Sequence, residues 1–150
     1  MFEIACPTSG ETRAFASKLA SLVTPGDVVV LAGPLGAGKT LFVGGLGAGL
    51  GLDEPVLSPS FVLVRTYRSG FIPIIHADVY RLGTFNEFDD LGLLDEAADG
   101  VLVIEWGDAI ESSLPADHLR IDFAVGEDGT RTISLLPLGS WEDRDWEAIL

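Results

Sequence analysis

Eight consecutive residues carry the strongest chemical signal in the chain. Gly33-Pro-Leu-Gly-Ala-Gly-Lys-Thr40 fills every fixed position of the pattern G-x-x-x-x-G-K-[ST]. Glycines in this pattern let the backbone curl so that successive N–H groups converge on phosphate oxygens. A helix opening at the end of the loop adds the partial positive charge of its N-terminus. Lys39 is then placed to reach the β- and γ-phosphates of a nucleotide, and the Thr40 hydroxyl to ligate magnesium. The loop predicts a P-loop that takes ATP or a close relative.

A magnesium ion in such a site needs a carboxylate, usually at the end of an apolar strand. Val101-Leu-Val-Ile-Glu105 ends in Glu105, and Pro73-Ile-Ile-His-Ala-Asp78 ends in Asp78. Spacing alone leaves both open, because acidic strand ends turned to solvent are common in an acidic chain. His76 reads as a packed or surface histidine, since one nearby His and no Cys cluster make no zinc pattern. Ser58-Pro-Ser60 reads by itself as a turn. No N/T-K-x-D tetrapeptide for reading guanine is present.

The elements that must position these residues are legible in the patterning. Phe2 to Cys6 alternates weakly as a short strand, and Ser9-Gly-Glu-Thr12 opens a helix to about Val23 with Ser9 as an ordinary N-cap. Asp27 to Ala32 suits a strand buried on both faces, and a helix from Lys39 to about Leu50 follows the loop. Gly44, Gly45, Gly47 and Gly49 make that helix poor by propensity, so close packing against the sheet is expected to compensate. Phe61 to Tyr67 and Ile72 to Ala77 read as an antiparallel hairpin. Asn86 to Asp99 reads as one or two short acidic helices, and Val101 to Trp106 as a buried strand. Leu119 to Val125 and Thr130 to Leu136 flank Gly126-Glu-Asp-Gly129, a second hairpin signal. Trp141 to Ile149 reads as a terminal helix or tail. The expected architecture is one α/β domain over residues 1–150, with a P-loop NTPase fold. Its central, mostly parallel sheet is flanked by helices and carries antiparallel hairpin additions.

Composition narrows the function classes. Apolar residues make up 47% of the 150-residue chain and charged residues 21%, which suits a globular protein. Nine Lys plus Arg against 23 Asp plus Glu give a net charge of −14, a field that repels nucleic-acid phosphates. Direct tRNA or DNA binding is therefore not expected. Met1 to Gly10 lacks the basic and apolar regions of a secretory signal, and Leu41 to Leu52 is too short and glycine-rich to span a bilayer. The single Cys6 cannot form an internal disulfide. A cytoplasmic location without membrane contact is the expectation.

Further motifs make the reading more specific. His76-Ala-Asp-Val-Tyr-Arg-Leu82, Leu91-Gly-Leu93 with Asp95-Glu96, Ile104-Glu-Trp106 and Leu114-Pro115 follow the loop and Ser58-Pro-Ser-Phe61 in order. Over roughly residues 9 to 125 the chain resembles the TsaE (YjeE) family of bacterial ATPases in tRNA threonylcarbamoyladenosine formation. The resemblance implies a magnesium-dependent ATPase working with TsaB and TsaD, meeting tRNA only indirectly, and supporting turnover of the threonylcarbamoyl-transfer complex. It implies that Leu35, Gly36, Ala37, Gly38, Lys39 and Thr40 hold the phosphates, while Thr40 and Glu105 bind magnesium. Lys39 and Asp78 would be catalytic, Asp78 either positioning water or helping to hold the metal. Ser60 stands where the family usually has Thr, and Ser9 and Thr12 fall where its N-terminal segment approaches the nucleotide.

The chain departs from the family's pattern at several positions, of which Pro34 is not a fixed one. Pro34 replaces a frequent Asp, Gly44-Gly45 replace a usually basic region, and Gly107 follows Trp106 where Pro is common. Trp106 itself reads as core or interface. Two rivals stand beside the ATPase. A small-molecule kinase would need an Arg-rich lid that the chain lacks, and a nucleotide-binding scaffold would bind without hydrolysis.

Overall fold

The apolar runs become the middle of a single seven-stranded sheet. In chain order the strands are β1 (Phe2–Cys6), β2 (Asp27–Ala32), β3 (Val64–Tyr67), β4 (Ile74–Asp78), β5 (Val101–Glu105), β6 (His118–Val125) and β7 (Arg131–Leu138). Their spatial order is β1-β7-β6-β2-β5-β4-β3. The computed structural model describes residues 1–59, 63–80, 88–89 and 91–150. Within β2, β4 and β5 every residue is buried, as strands covered on both faces must be.

The expectation of a mostly parallel sheet needs correction. β6, β2, β5 and β4 run parallel, but β1 with β7, β7 with β6, and β3 with β4 are antiparallel, so the sheet is mixed. The reason is local. Both hairpins return the chain at once, and β1 extends the sheet on the far edge of the second. That second hairpin forms as expected, its turn closed by the Gly126 N–H donating to the Thr130 carbonyl at 2.8 Å.

Strand alternation sends neighbouring residues of β2 into two separate cores. Val29 and Leu31 join Val103, Leu119 and Ile121 beneath two helices, α1 (Ser9–Leu19) and α2 (Lys39–Gly49). Val28 and Val30 face the other way and join Ile75, Leu102 and Ile104 beneath Phe88, Leu93 and Ile110. Of the one or two short acidic helices expected over Asn86 to Asp99, the described residues form a short α3 (Leu93–Glu96) continued by a 3-10 turn over Ala97–Asp99. Residues 86, 87 and 90 of that expectation lie outside the described residues, as do Phe61 and Val62 of the expected first hairpin strand. The chain's end is two 3-10 turns rather than one helix, and it buries Trp141 and Trp146 in the first core. Arg144 holds this end down. Its guanidinium bonds both oxygens of buried Asp27 at 2.5 and 2.8 Å and lies 3.7 Å from the Trp141 ring centroid.

Two details of the helices differ from the sequence reading. Thr8, not Ser9, caps α1, its hydroxyl accepting from the Glu11 N–H at 3.2 Å. The helix ends at Leu19 and tightens into a 3-10 turn over Ala20–Leu22 instead of running on to Val23. The glycines of α2 serve chiefly the other helix rather than the sheet. A Cβ on Gly45 would stand 2.5 Å from the Arg13 carbonyl oxygen, and one on Gly49 would stand 2.4 Å from that of Ser17. Residues 45 and 49 are one helical turn apart, so together they form a smooth strip on which the α1 backbone rests. Close approach to α1 offsets the low helix propensity.

The same geometry separates the glycines by consequence. Gly45→Ala or Gly49→Ala forces α1 away from α2 and should cost about 1–3 kcal/mol of stability each. Gly44 differs, because its added Cβ would meet only the far end of the Arg13 side chain at 3.2 Å. Gly44→Ala should be neutral or stabilising by up to about 1 kcal/mol. Urea denaturation of the three variants checks this, and equal losses at all three would contradict the packing described.

Candidate functional site

The loop between β2 and α2 lies where the parallel strands end, the usual place for ligands in an open α/β sheet. Its first glycine is fixed by sterics. Gly33 has φ +142°, and a Cβ there would sit 2.6 Å from the Phe123 carbonyl oxygen of β6. Gly38 at the far end takes φ +103° and is the N-cap of α2, with no side chain capping the helix. The first-turn amides of α2 are therefore left to a ligand or water, beside the helix's partial positive charge.

The two candidate carboxylates meet beneath this loop. β4 and β5 pair in parallel with Asp78 opposite Glu105, so their side chains emerge side by side. Leu35, Gly36, Gly38, Lys39, Thr40, Leu41, Ser58, Asp78, Glu105 and Trp106 line one cleft of about 200 Å³. The Thr40 hydroxyl donates to Glu105 Oε2 at 2.9 Å, which ties the start of α2 to the end of β5. Asp78 Oδ1 accepts from the Tyr80 N–H at 2.8 Å. A hydroxyl and two carboxylates are hard oxygen donors of the kind that suit a small divalent cation.

Lys39 is only 4% exposed and folds back on its own loop. Its ammonium donates to the Gly33 carbonyl at 2.5 Å and the Pro34 carbonyl at 3.3 Å, and lies 3.5 Å from the Trp106 ring centroid. Burial lowers its pKa from the usual lysine value, against the raising effect of Glu105, Asp78 and Asp108. The group is a cation held ready in a partly desolvated place, where an arriving anion would gain most.

Of the remaining expected residues, Ala37 lies within the loop and is wholly buried. Ser9 and Thr12 are not brought to the cleft. Thr12 is fully buried, its hydroxyl directed at the Thr8 carbonyl at 3.5 Å, and Ser9 is exposed in the first turn of α1. Ser60 lies outside the described residues. A larger hollow of about 690 Å³ lies between β1 and α1, lined by Phe2, Ile4, Ala14, Phe15 and Ile149 among others. It holds none of the loop or strand-end groups, so size alone does not mark the site.

Three contributors escaped the sequence reading. Arg131, at the start of β7, donates its Nε–H to the Ala37 carbonyl at 3.1 Å and packs against Gly38. Nothing near the loop in sequence announces this contact across 94 positions. His76 lies buried against Glu105, and alternation along β4, which puts it on the same face as Asp78, was an available signal. Trp106 packs partly buried against the second core. It takes φ +62°, is half-buried, covers Lys39 and meets the ring of exposed Tyr80 at a 45° tilt, 4.9 Å between centroids.

The fold and site thus define a mixed α/β protein whose glycine-rich strand-to-helix loop faces two strand-end carboxylates. The profile of the family described as Threonylcarbamoyl adenosine biosynthesis protein TsaE matches residues 6–133, and the chain belongs to that family. The chain is 42% identical over 132 residues to the tRNA threonylcarbamoyladenosine biosynthesis protein TsaE of Bacillus subtilis, covering 87% of this chain and 82% of that one. It is 43% identical over 141 residues to the TsaE of Streptomyces coelicolor, covering 89% and 95%. The crystal structure of Bacillus subtilis YdiB superimposes with a TM-score of 0.78 at 35% identity, covering 94% of this chain and 88% of that one. Among the described residues no helix is long and apolar enough to cross a membrane.

An anion that draws Lys39 away from its carbonyls also takes it off the Trp106 ring. Trp141 and Trp146 are buried in the first core and should report nothing. A nucleotide titration should therefore change the tryptophan emission, and Trp106→Phe should remove that change. An unaltered response in Trp106→Phe would contradict the coupling between Lys39 and Trp106.

Proposed function

We propose that the chain is a magnesium-dependent P-loop ATPase that acts in tRNA threonylcarbamoyladenosine formation. The observation that carries this reading is the joint placement of Lys39, Thr40, Asp78 and Glu105 in one cleft at the open N-terminus of α2. The TsaE relatives named above support the pathway, and the loop chemistry supports the reaction.

The residues divide the work as follows. Amides from Leu35 to Thr40 grip the phosphates, with Arg131 bracing the loop from behind through the Ala37 carbonyl. Lys39 gives up the carbonyls of Gly33 and Pro34 for the β- and γ-phosphate oxygens. Thr40 keeps its proton on Glu105 and turns a lone pair toward the cation site, so hydroxyl and carboxylate act as one unit. When bound, magnesium supplies neutralisation of the charge that builds on the transferred phosphoryl group. Asp78, with one oxygen fixed by the Tyr80 N–H, orients the attacking water or shares in holding the cation.

Positioning and electrostatics are the whole of this catalysis, and among the described residues no arginine lines the cleft. An activating group from TsaB or TsaD would therefore raise a slow basal rate. The −14 charge fits a role that reaches tRNA only through those partners, and membership of the TsaE family fits a cytoplasmic location.

Phosphate release from ATP and GTP with magnesium, alone and with TsaB and TsaD, tests the reading. ATP hydrolysis without an added acceptor should rise when the partners are present. Lys39→Ala should lower the stimulated rate by about 100-fold or more, and Glu105→Gln should remove most of the magnesium dependence. Phosphate transfer only to an added acceptor would favour a kinase. Binding without hydrolysis, with partner-dependent activity intact in both variants, would favour a scaffold.

A further inference from the structure

The deepest polar side chain of the site is His76, which is 0% exposed. It stands on β4 opposite Val103 of β5, one alternation behind the Asp78–Glu105 pair and on the same face of the sheet. Its Nε2 lies 2.5 Å from Glu105 Oε2, the oxygen that also accepts the Thr40 proton. A carboxylate oxygen only accepts, so Nε2 carries the hydrogen. The other ring nitrogen, Nδ1, is buried and has no hydrogen-bond partner among the described residues.

That orphan nitrogen separates a working residue from a merely packed one. Buried polar atoms nearly always find partners, and an apolar side chain at this position would leave nothing unsatisfied. A feature that costs stability without improving packing marks the place where function overrides it. The benefit lies at Glu105. Glutamate has one more rotatable bond than aspartate, so a glutamate at a strand end can swing toward nearby Lys39 or into solvent. Thr40 restrains it from above and His76 from below, both at Oε2. Among the described residues Oε1 makes no hydrogen bond, and it is the oxygen left for a cation.

We propose that His76 is a positioning residue that fixes the Glu105 carboxylate in its cation-ready orientation through the Nε2–H···Oε2 hydrogen bond. The proposal rests on the magnesium–nucleotide reading above. It assigns His76 no contact with substrate, and its effect should pass wholly through Glu105.

The full chain and a non-hydrolysable ATP analogue provide the test, with affinity measured in magnesium and again in EDTA. His76→Leu should reduce the magnesium-dependent gain in affinity about tenfold, as loss of an outer partner of a metal ligand commonly does, and leave the EDTA affinity unchanged. His76→Gln, whose amide nitrogen can stand where Nε2 stood, should recover most of the gain. His76→Asn is too short to reach Glu105 and should not, and this pair carries the test if the leucine variant does not fold. In a Glu105→Gln background, His76→Leu should add no further loss. Equal losses in magnesium and EDTA, additive losses with Glu105→Gln, or recovery by Asn as good as by Gln would each overturn the proposal. A wild-type chain that shows no magnesium-dependent gain would instead sink the underlying nucleotide reading, and this proposal with it.

Discussion

The in-register parallel pairing of β4 and β5 is the constraint from which the site follows. It sets Asp78 opposite Glu105 at the strand ends, level with the mouth of the glycine loop. Parallel pairing with β2 brings Leu31 opposite Glu105, so the loop leaves the sheet directly above the carboxylates. A one-residue slip in β5 would turn Glu105 into the opposite core and break its bond to Thr40. The buried runs of β2, β4 and β5 guard against such a slip, because each residue fills a place on one face or the other.

The remainder of the chain holds that register and the loop above it. α1 rests on the glycine strip of α2, which brings α2 close without an intervening layer of side chains. The second hairpin contributes from a distance. Phe123 of β6 closes on Gly33, and Arg131 of β7 bonds the Ala37 carbonyl, so both ends of the loop lean on it. Arg144 and Asp27 pin the C-terminal turns over the start of β2. Of these contacts, those of Phe123 and Arg131 fall on the eight-residue loop itself, and the others hold α2 and β2 on either side of it.

Much of this was legible in the sequence, for identifiable reasons. Residues 33–40 announce themselves because their glycines and Lys39 act through the backbone and local spacing. The buried strands announce themselves through unbroken apolar runs, and Glu105 and Asp78 through their place at the ends of such runs. What stayed hidden depends on tertiary contact. Arg131 looks like any strand-edge arginine until topology brings it to the loop. The glycines of α2 signalled close packing without saying against what, and the partner is α1. The parallel share of the sheet was overestimated because the hairpins were treated as additions, whereas the two hairpin pairings and that of β1 with β7 together equal the parallel ones in number.

Backbone amide resonances give the most direct test of the central claim, that the loop's own N–H groups receive a triphosphate at the start of α2. On adding magnesium and a non-hydrolysable ATP analogue, the largest amide shifts should fall at residues 36–41, with smaller ones at Asp78 and Glu105. Shifts centred on the apolar groove between β1 and α1, or no shifts at all, would contradict it.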